Sequence, residues 1–203
     1  MDILEFEKKA AESNLFTSPI LGADLRRFLE KETDTMKQLA AEVFNKKYEH
    51  VYWVGAGNSR VCLLSGKELM DRFTTMPSDC YCSYEFIWRN PQRLGKKSFV
   101  FLASFSGNTE DTVAAMRFAK QKGATTVAFV NQPNCLMGKE ADVTIAYHSK
   151  ALFSLPLAAA YIFVIEYARL IGQSKASIIL DDLIKVPEIL TEQYQSERES
   201  ALE

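Results

Sequence analysis

The chain has 203 residues, 47% hydrophobic and 25% charged, globular proportions that exclude collagen-like, disordered and disulfide-stapled classes. Its 24 Lys and Arg against 26 Asp and Glu leave a formal charge of −2 with no long basic run, so no nucleic-acid partner is expected. The opening Met-Asp-Ile-Leu-Glu-Phe-Glu-Lys-Lys lacks a basic segment ahead of an apolar one, so no secretory signal is expected and the expected location is cytoplasmic.

Residues 1–21 read as an N-terminal extension. A long amphipathic helix follows over 22–46, because Leu25, Phe28, Leu29, Met36, Leu39, Ala40, Val43 and Phe44 mostly recur at three- and four-residue steps. Then a pattern repeats: a short β-rich apolar run, a small-residue loop, a helical stretch. The runs are 51–54, 78–82, 98–103, 125–130 and 142–147, and the clearest helices are 59–73 and 109–122, the second ended by Gly123. Strands separated by helices cannot form hairpins, so the fold class is α/β. A five-stranded parallel sheet flanked by helices is expected, doubly wound in the flavodoxin or Rossmann manner.

Val100, Phe101, Leu102 and Ala103 are apolar without alternation, as a central strand buried on both faces requires. Residues 151–171 are the most apolar stretch, but Pro156, Glu166 and Arg169 leave roughly 15 uncharged residues where a membrane span needs about 20. They read as a buried helix, and no membrane partner is expected. The 22–173 unit is the expected domain, and the polar 174–203 tail is expected to be a helical cap or linker with Pro187 in a first helical turn. Cys62, Cys80, Cys82 and Cys135 match no zinc spacing, and Cys80 and Cys82 read as strand residues on one face, so no metal is expected.

Ligands of an open parallel sheet sit at the carboxyl ends of its strands. Two loops there stand out. The first is Gly55-Ala56-Gly57-Asn58-Ser59-Arg60; its third dinucleotide-type glycine would fall at Arg60 and no acidic ribose partner follows, so no cofactor is expected. The second is Ser104-Phe105-Ser106-Gly107-Asn108-Thr109, where three hydroxyls, an amide and a glycine bend enter a helix. Converging donors at a helix start suit a phosphate dianion without the lysine of a Walker loop. Simple helix capping by Ser106 or Asn108 is the plainer alternative, and it accounts for one small polar residue rather than a cluster.

The two loops together resemble the signature loops of the sugar isomerase (SIS) family of phosphosugar-binding domains over roughly residues 25–171. The second motif, Ser104-x-Ser106-Gly107-x-Thr109-x-Asp111-Thr112, is the specific part. Within the family the chain looks most like the amino-terminal module of tandem-module proteins, the group of fructosamine-6-phosphate deglycases and of the isomerase domain of glucosamine-6-phosphate synthase. The resemblance implies a sugar-phosphate ligand whose phosphate is held by Ser59, Ser104, Ser106, Gly107, Asn108 and Thr109, beside a substrate loop of Gly55, Gly57 and Asn58. It also implies a glutamate after the first loop and a histidine in a Glu-Phe-x-His-Gly-Pro-like segment. Here that segment reads Glu85-Phe86-Ile87-Trp88, with Trp88 where the histidine would stand.

Catalytic residues are therefore open, the weak candidates being Glu68, Asp71, Glu85 and His148. His50 precedes the first strand and is expected at the surface on the wrong edge; His148 follows the last strand at the carboxyl edge. The expected role is the phosphosugar-binding half of a deglycase or isomerase. The alternatives are a single-module isomerase and a non-catalytic sensor, and a sensor's usual helix-turn-helix has no room in the first roughly 20 residues. The apolar 151–171 helix, with Leu25, Phe28 and Met36, exceeds what one sheet face covers, so a homodimer or a second module is the expected partner.

Overall fold

A computed structural model of the chain describes residues 2–12 and 18–202. Helix α1 (Ile3–Ala11) is capped by Asp2, whose carboxylate accepts from the Glu5 N–H at 2.8 Å, and α2 (Ser18–Asn45) is the long amphipathic helix. Then β1 (His50–Gly55), α3 (Asn58–Phe73), β2 (Ser78–Cys82), α4 (Ser83–Arg89), β3 (Ser98–Ser104) and α5 (Glu110–Gln121) alternate. The chain ends in β4 (Thr125–Val130), α6 (Leu136–Glu140), β5 (Val143–Ala146), α7 (Ser154–Leu170), a 3₁₀ turn (Ser174–Ala176) and α8 (Ser177–Leu202). All five strands are parallel in the order β2-β1-β3-β4-β5, as the alternation demanded. The chain leaves β1 towards β2 and returns past β1 to β3, so the topological switch point lies between β1 and β3.

Alternate side chains of each inner strand enter opposite layers. Val51 and Trp53, Phe99 and Phe101, Val127 and Phe129 face α2, α3 and α7; Tyr52 and Val54, Val100 and Leu102, Ala128 and Val130 face α4, α5 and α6. Across the first layer the Trp53 and Phe101 rings stack at 4.6 Å, and Phe101 and Phe129 at 5.4 Å. Each such fully buried ring contributes about 1.5–3 kcal/mol, so the ladder fixes the register of three strands as well as the core. The Trp53 indole N–H donates to the Ser78 hydroxyl at 2.8 Å and its ring lies against Gly66 of α3. Gly123 ends α5 with φ 84°, and the next N–H, of Ala124, reaches back to the Ala119 carbonyl at 3.1 Å.

Three expectations change. α7 is buried almost all round by the sheet, α2, α3 and α8, and Leu25, Phe28 and Met36 are buried against it. The apolar surface from which association was argued is thus covered within the chain. The tail supplies part of that cover: Leu183 is buried, and Ile179, Leu180, Val186 and Leu190 pack on the same core, while Pro187 lies in the middle of α8 rather than in a first turn. His50, expected at the surface, is 4% exposed, because β1 has neighbours on both sides and even its first side chain is covered; its place at the amino edge is as expected. No helix among the described residues is long and apolar enough to cross a membrane.

Candidate functional site

The two small-residue loops leave adjacent strands. Gly55 at the end of β1 pairs in register with Ala103 of β3, one residue before Ser104, so both loops open at the switch point on the carboxyl edge. A Cβ at Gly55 would stand 2.9 Å from the Arg60 nitrogen and 3.3 Å from the Ala103 carbonyl oxygen. Only glycine lets α3 begin this close to the neighbouring strand. The turn continues through Gly57, and Ser59, partly buried in the first turn of α3, donates its N–H to the Ala56 carbonyl at 3.1 Å. No side chain caps α3.

The second loop is held from beneath. Ser104 is buried; its hydroxyl accepts from the Gly107 N–H at 3.1 Å and shares a 2.7 Å hydrogen bond with the Thr109 hydroxyl. Gly107 has φ 63°, and a Cβ there would lie 2.2 Å from the Cys135 sulfur. Ser106 accepts from the Asn108 N–H at 3.2 Å, and the Asn108 side-chain oxygen accepts from the Leu136 N–H at 2.9 Å. Ser106, Asn108 and Thr109 are exposed. Thr109 occupies the N-cap of α5 with no side-chain hydrogen bond to the helix, so plain capping by Ser106 or Asn108 does not account for the cluster. Ser106, Asn108 and Thr109 are thus exposed residues gathered around the first N–H groups of α5, an arrangement that suits an anion.

Two further loops join this edge, and the sequence reading passed over the first. After β4, the Asn131 N–H donates to the Phe105 carbonyl at 3.1 Å, and the Met137 N–H donates to the Gly107 carbonyl at 3.0 Å. After β5, the His148 N–H donates to the Asn131 carbonyl at 2.9 Å and the Ser149 N–H to the Asn131 side-chain oxygen at 2.8 Å. The Ser149 hydroxyl donates to the buried Asp24 carboxylate, and Arg27, paired with Asp24 at 2.9 Å, donates to the His148 carbonyl at 3.0 Å. The signal for Asn131 was its place directly after a strand; its bonds to Phe105 and His148 depend on neighbours far away in sequence.

The carboxylate candidates are not gathered here. Glu68 and Asp71 lie on the exposed side of α3, ten and thirteen residues from its start, about 15–20 Å down the axis from the loops at 1.5 Å per residue. Lys67 pairs with Asp71 and lies 3.8 Å from Glu68. Glu85 accepts from the Cys82 N–H at 3.4 Å and from the Arg89 Nε at 2.7 Å, closing the capping box of α4. Trp88 is 85% exposed. Cys80 and Cys82 both lie on β2; the Cys80 thiol reaches the Arg60 carbonyl at 3.8 Å, and burial pushes it up to about 11, unsuited to thiolate chemistry. His148 is at the carboxyl edge, exposed, with Nδ1 2.9 Å from the Gln132 side-chain oxygen.

A doubly wound sheet whose switch point carries two glycine-bearing loops, each opening a helix, is an α/β arrangement suited to an anionic ligand. The chain belongs to the SIS domain family, whose model matches residues 44–166. It is similar to fructosamine deglycase FrlB of Bacillus subtilis (strain 168), with 42% identity over 103 residues, 50% of this chain and 31% of that protein. It is also similar to fructoselysine 6-phosphate deglycase of Escherichia coli (strain K12), with 24% identity over 168 residues, 82% of this chain and 49% of that protein. The chain thus spans about half or less of these relatives. A solved structure of a protein from Escherichia coli CFT073 shares the fold: its TM-score is 0.66 at 13% identity, covering 90% of this chain and 100% of that one.

Proposed function

We propose that this chain is the phosphosugar-binding module of a sugar-phosphate enzyme, either a fructosamine (fructoselysine or glucoselysine) 6-phosphate deglycase or an amino-sugar-phosphate isomerase. The observation that carries the reading is the loop 104–109, whose exposed Ser106, Asn108 and Thr109 surround the uncapped start of α5 at the switch point while buried Ser104 braces the turn. In this reading the Thr109 and Ser106 hydroxyls, the Asn108 amide and the α5 N-terminus take the phosphate, with Ser59 contributing from the first loop. The sugar then runs across Gly55, Gly57 and Asn58. The phosphate is a remote handle: its binding energy orients the carbons between which a proton must move. That step needs a positioned acid and base. Glu68 and Asp71 are remote, Glu85 is engaged in its capping box and Trp88 stands at the histidine position, so the Glu/His pair is assigned to a second module.

The second module has a place to dock. Tyr84 and Trp88, one turn apart on α4 and 59% and 85% exposed, adjoin the carboxyl edge, and Val61, Leu136 and Phe153 are exposed near the starts of α3, α6 and α7. Free Cys62, Cys80, Cys82 and Cys135 suit a cytoplasmic site of action. A second reading is a stand-alone isomerase; the fold does occur as a single module, since the match covers 100% of the Escherichia coli CFT073 neighbour.

Thermal unfolding tests the binding claim. A hexose 6-phosphate should raise Tm where the unphosphorylated hexose does not, since a ligand of the native state alone stabilises by about 2.7 kcal/mol at a hundredfold excess over Kd. Equal shifts with both sugars would sink it. Assaying the chain with fructoselysine 6-phosphate and with fructose 6-phosphate separates the two readings. Background turnover is expected of a binding half, because a missing general acid or base removes about 10²–10⁴-fold; robust turnover supports the stand-alone enzyme.

A further inference from the structure

Among the described residues three non-glycine residues have positive φ: Lys47 at 54°, Asn90 at 41° and His148 at 46°. Lys47 stands two residues after the end of α2 and Asn90 directly follows α4, places where a left-handed residue is the ordinary terminator. His148 ends no helix. It sits after β5 at the carboxyl edge, in a conformation that glycine or asparagine would adopt at less cost. Histidine is among the side chains that tolerate this region, but glycine adopts it at less cost, so the turn alone does not call for an imidazole.

The surroundings hold this conformation from every side. The His148 N–H is tied to Asn131, its carbonyl to Arg27, and the following residue to Asn131 and Asp24. Backbone strain that is over-determined in this way is concentrated at functional positions. The ring is oriented as well. Gln132 presents its amide oxygen to Nδ1 at 2.9 Å, a contact that selects the tautomer of the neutral ring in which Nδ1 donates and Nε2 is the acceptor. No hydrogen bond among the described residues uses Nε2. The same Asn131 that fixes His148 is bonded to Phe105, inside the phosphate loop, so ring and loop are placed by one set of bonds.

We propose that His148 is a ligand-reading residue: its Nε2 accepts a hydrogen bond from a hydroxyl of the sugar while the loop 104–109 holds the phosphate. The assignment rests on the phosphosugar reading above. The strained turn is retained because it aims an acceptor at the part of the ligand that the hydroxyl-rich loop, a set of donors, cannot distinguish.

The test is calorimetric titration of wild type, His148→Asn and His148→Gly with glucose 6-phosphate and with inorganic phosphate, alongside Tm. Both substitutions suit positive φ, so both variants should fold, with Tm for Asn equal to or above wild type. Glucose 6-phosphate should bind about threefold to tenfold more weakly in both variants, the size of one lost hydrogen bond, and inorganic phosphate should bind as in wild type. Unchanged affinity for glucose 6-phosphate, or an equal loss for both ligands, overturns the assignment. A wild-type chain that binds inorganic phosphate but not glucose 6-phosphate overturns the phosphosugar reading itself, and this assignment with it.

Discussion

The two edges of the sheet handle their polar atoms in opposite ways. At the amino edge they are spent on the chain itself: the Tyr48 hydroxyl meets Thr125 at 2.6 Å, Asp142 accepts from the Thr126 N–H at 2.9 Å and its hydroxyl at 2.7 Å, and the His50 Nε2 lies 2.9 Å from Asp79. At the carboxyl edge Ser106, Asn108 and Thr109 are exposed around the start of α5, and Tyr84 and Trp88 are exposed on α4, the helix that follows β2. The amino edge pairs these groups within the chain, the buried His50 Nδ1 excepted, and a fold that closes one end this far has no need to leave the other open for stability. The open end is where ligand and partner are expected, and each experiment below tests one side of that contrast.

The largest effect is expected at Gly107. Valine there would combine φ 63° with a Cβ 2.2 Å from the Cys135 sulfur and 3.0 Å from a Val130 methyl, in packed surroundings. Strain and overpacking of this kind cost about 3 kcal/mol or more together. Chemical denaturation of Gly107→Val should show that loss, and hexose 6-phosphate should no longer shift Tm. A fully stable, ligand-competent variant would mean that the loop is not braced from below.

Next is the partner surface. Trp88→Ser removes the most exposed large apolar side chain named on α4 and should abolish association, at about 2–4 kcal/mol for a central aromatic anchor, without lowering monomer stability. Sedimentation of wild type and variant at high micromolar concentration checks it. A monomeric wild type would show that Tyr84 and Trp88 do not pair two copies of this chain, leaving a second module as their partner.

A smaller effect is expected at Thr109. Its hydroxyl is exposed and bonded to Ser104 at 2.7 Å, so Thr109→Ala should weaken hexose 6-phosphate binding by about 1–3 kcal/mol and leave stability nearly unchanged. Ser104→Ala removes one of the two acceptors of the buried Gly107 N–H, which keeps the Ser104 carbonyl at 3.2 Å, so it should cost stability by about 0.5–1.5 kcal/mol as well. If both variants bind as wild type does, the loop is only a turn into α5.

The fold was legible where local pattern and tertiary role coincide. The 98–103 run had no alternation because β3 is buried on both faces, and β1 and β4 were visible for the same reason, whereas the edge strands β2 and β5 are only partly buried. α8 was underestimated because its apolar residues, Ile179, Leu180, Leu183, Val186 and Leu190, are diluted by charge around a proline, and only packing on α2 shows that they form a stripe. The site was legible as composition: hydroxyls and glycines just after strands. Its wiring was not. That Ser104 is a brace rather than an exposed donor, and that Asn131 links Phe105 to His148, follow from contacts between loops that sequence distance hides.

The smallest effect belongs to the closed edge, and its sign is definite. Burial holds the His50 imidazole below its ordinary range, and nearby Asp79 offsets this only in part. Its Nδ1 is buried with no partner among the described residues, so a proton there would go unpaired. In the unfolded chain the same ring takes up a proton near about pH 6.5. Below that pH the unfolded state therefore binds more protons at this position, and stability is lost as pH falls from about 6.5 towards the depressed folded value. Above it both states are neutral there and His50 contributes no slope. His50→Gln, which can still donate to Asp79, should flatten the stability profile between about pH 7 and 5 relative to wild type. Denaturant titrations across that window give both slopes. Coincident slopes would mean that His50 is solvated in solution, and the contrast between a closed amino edge and an open carboxyl edge would lose its clearest marker.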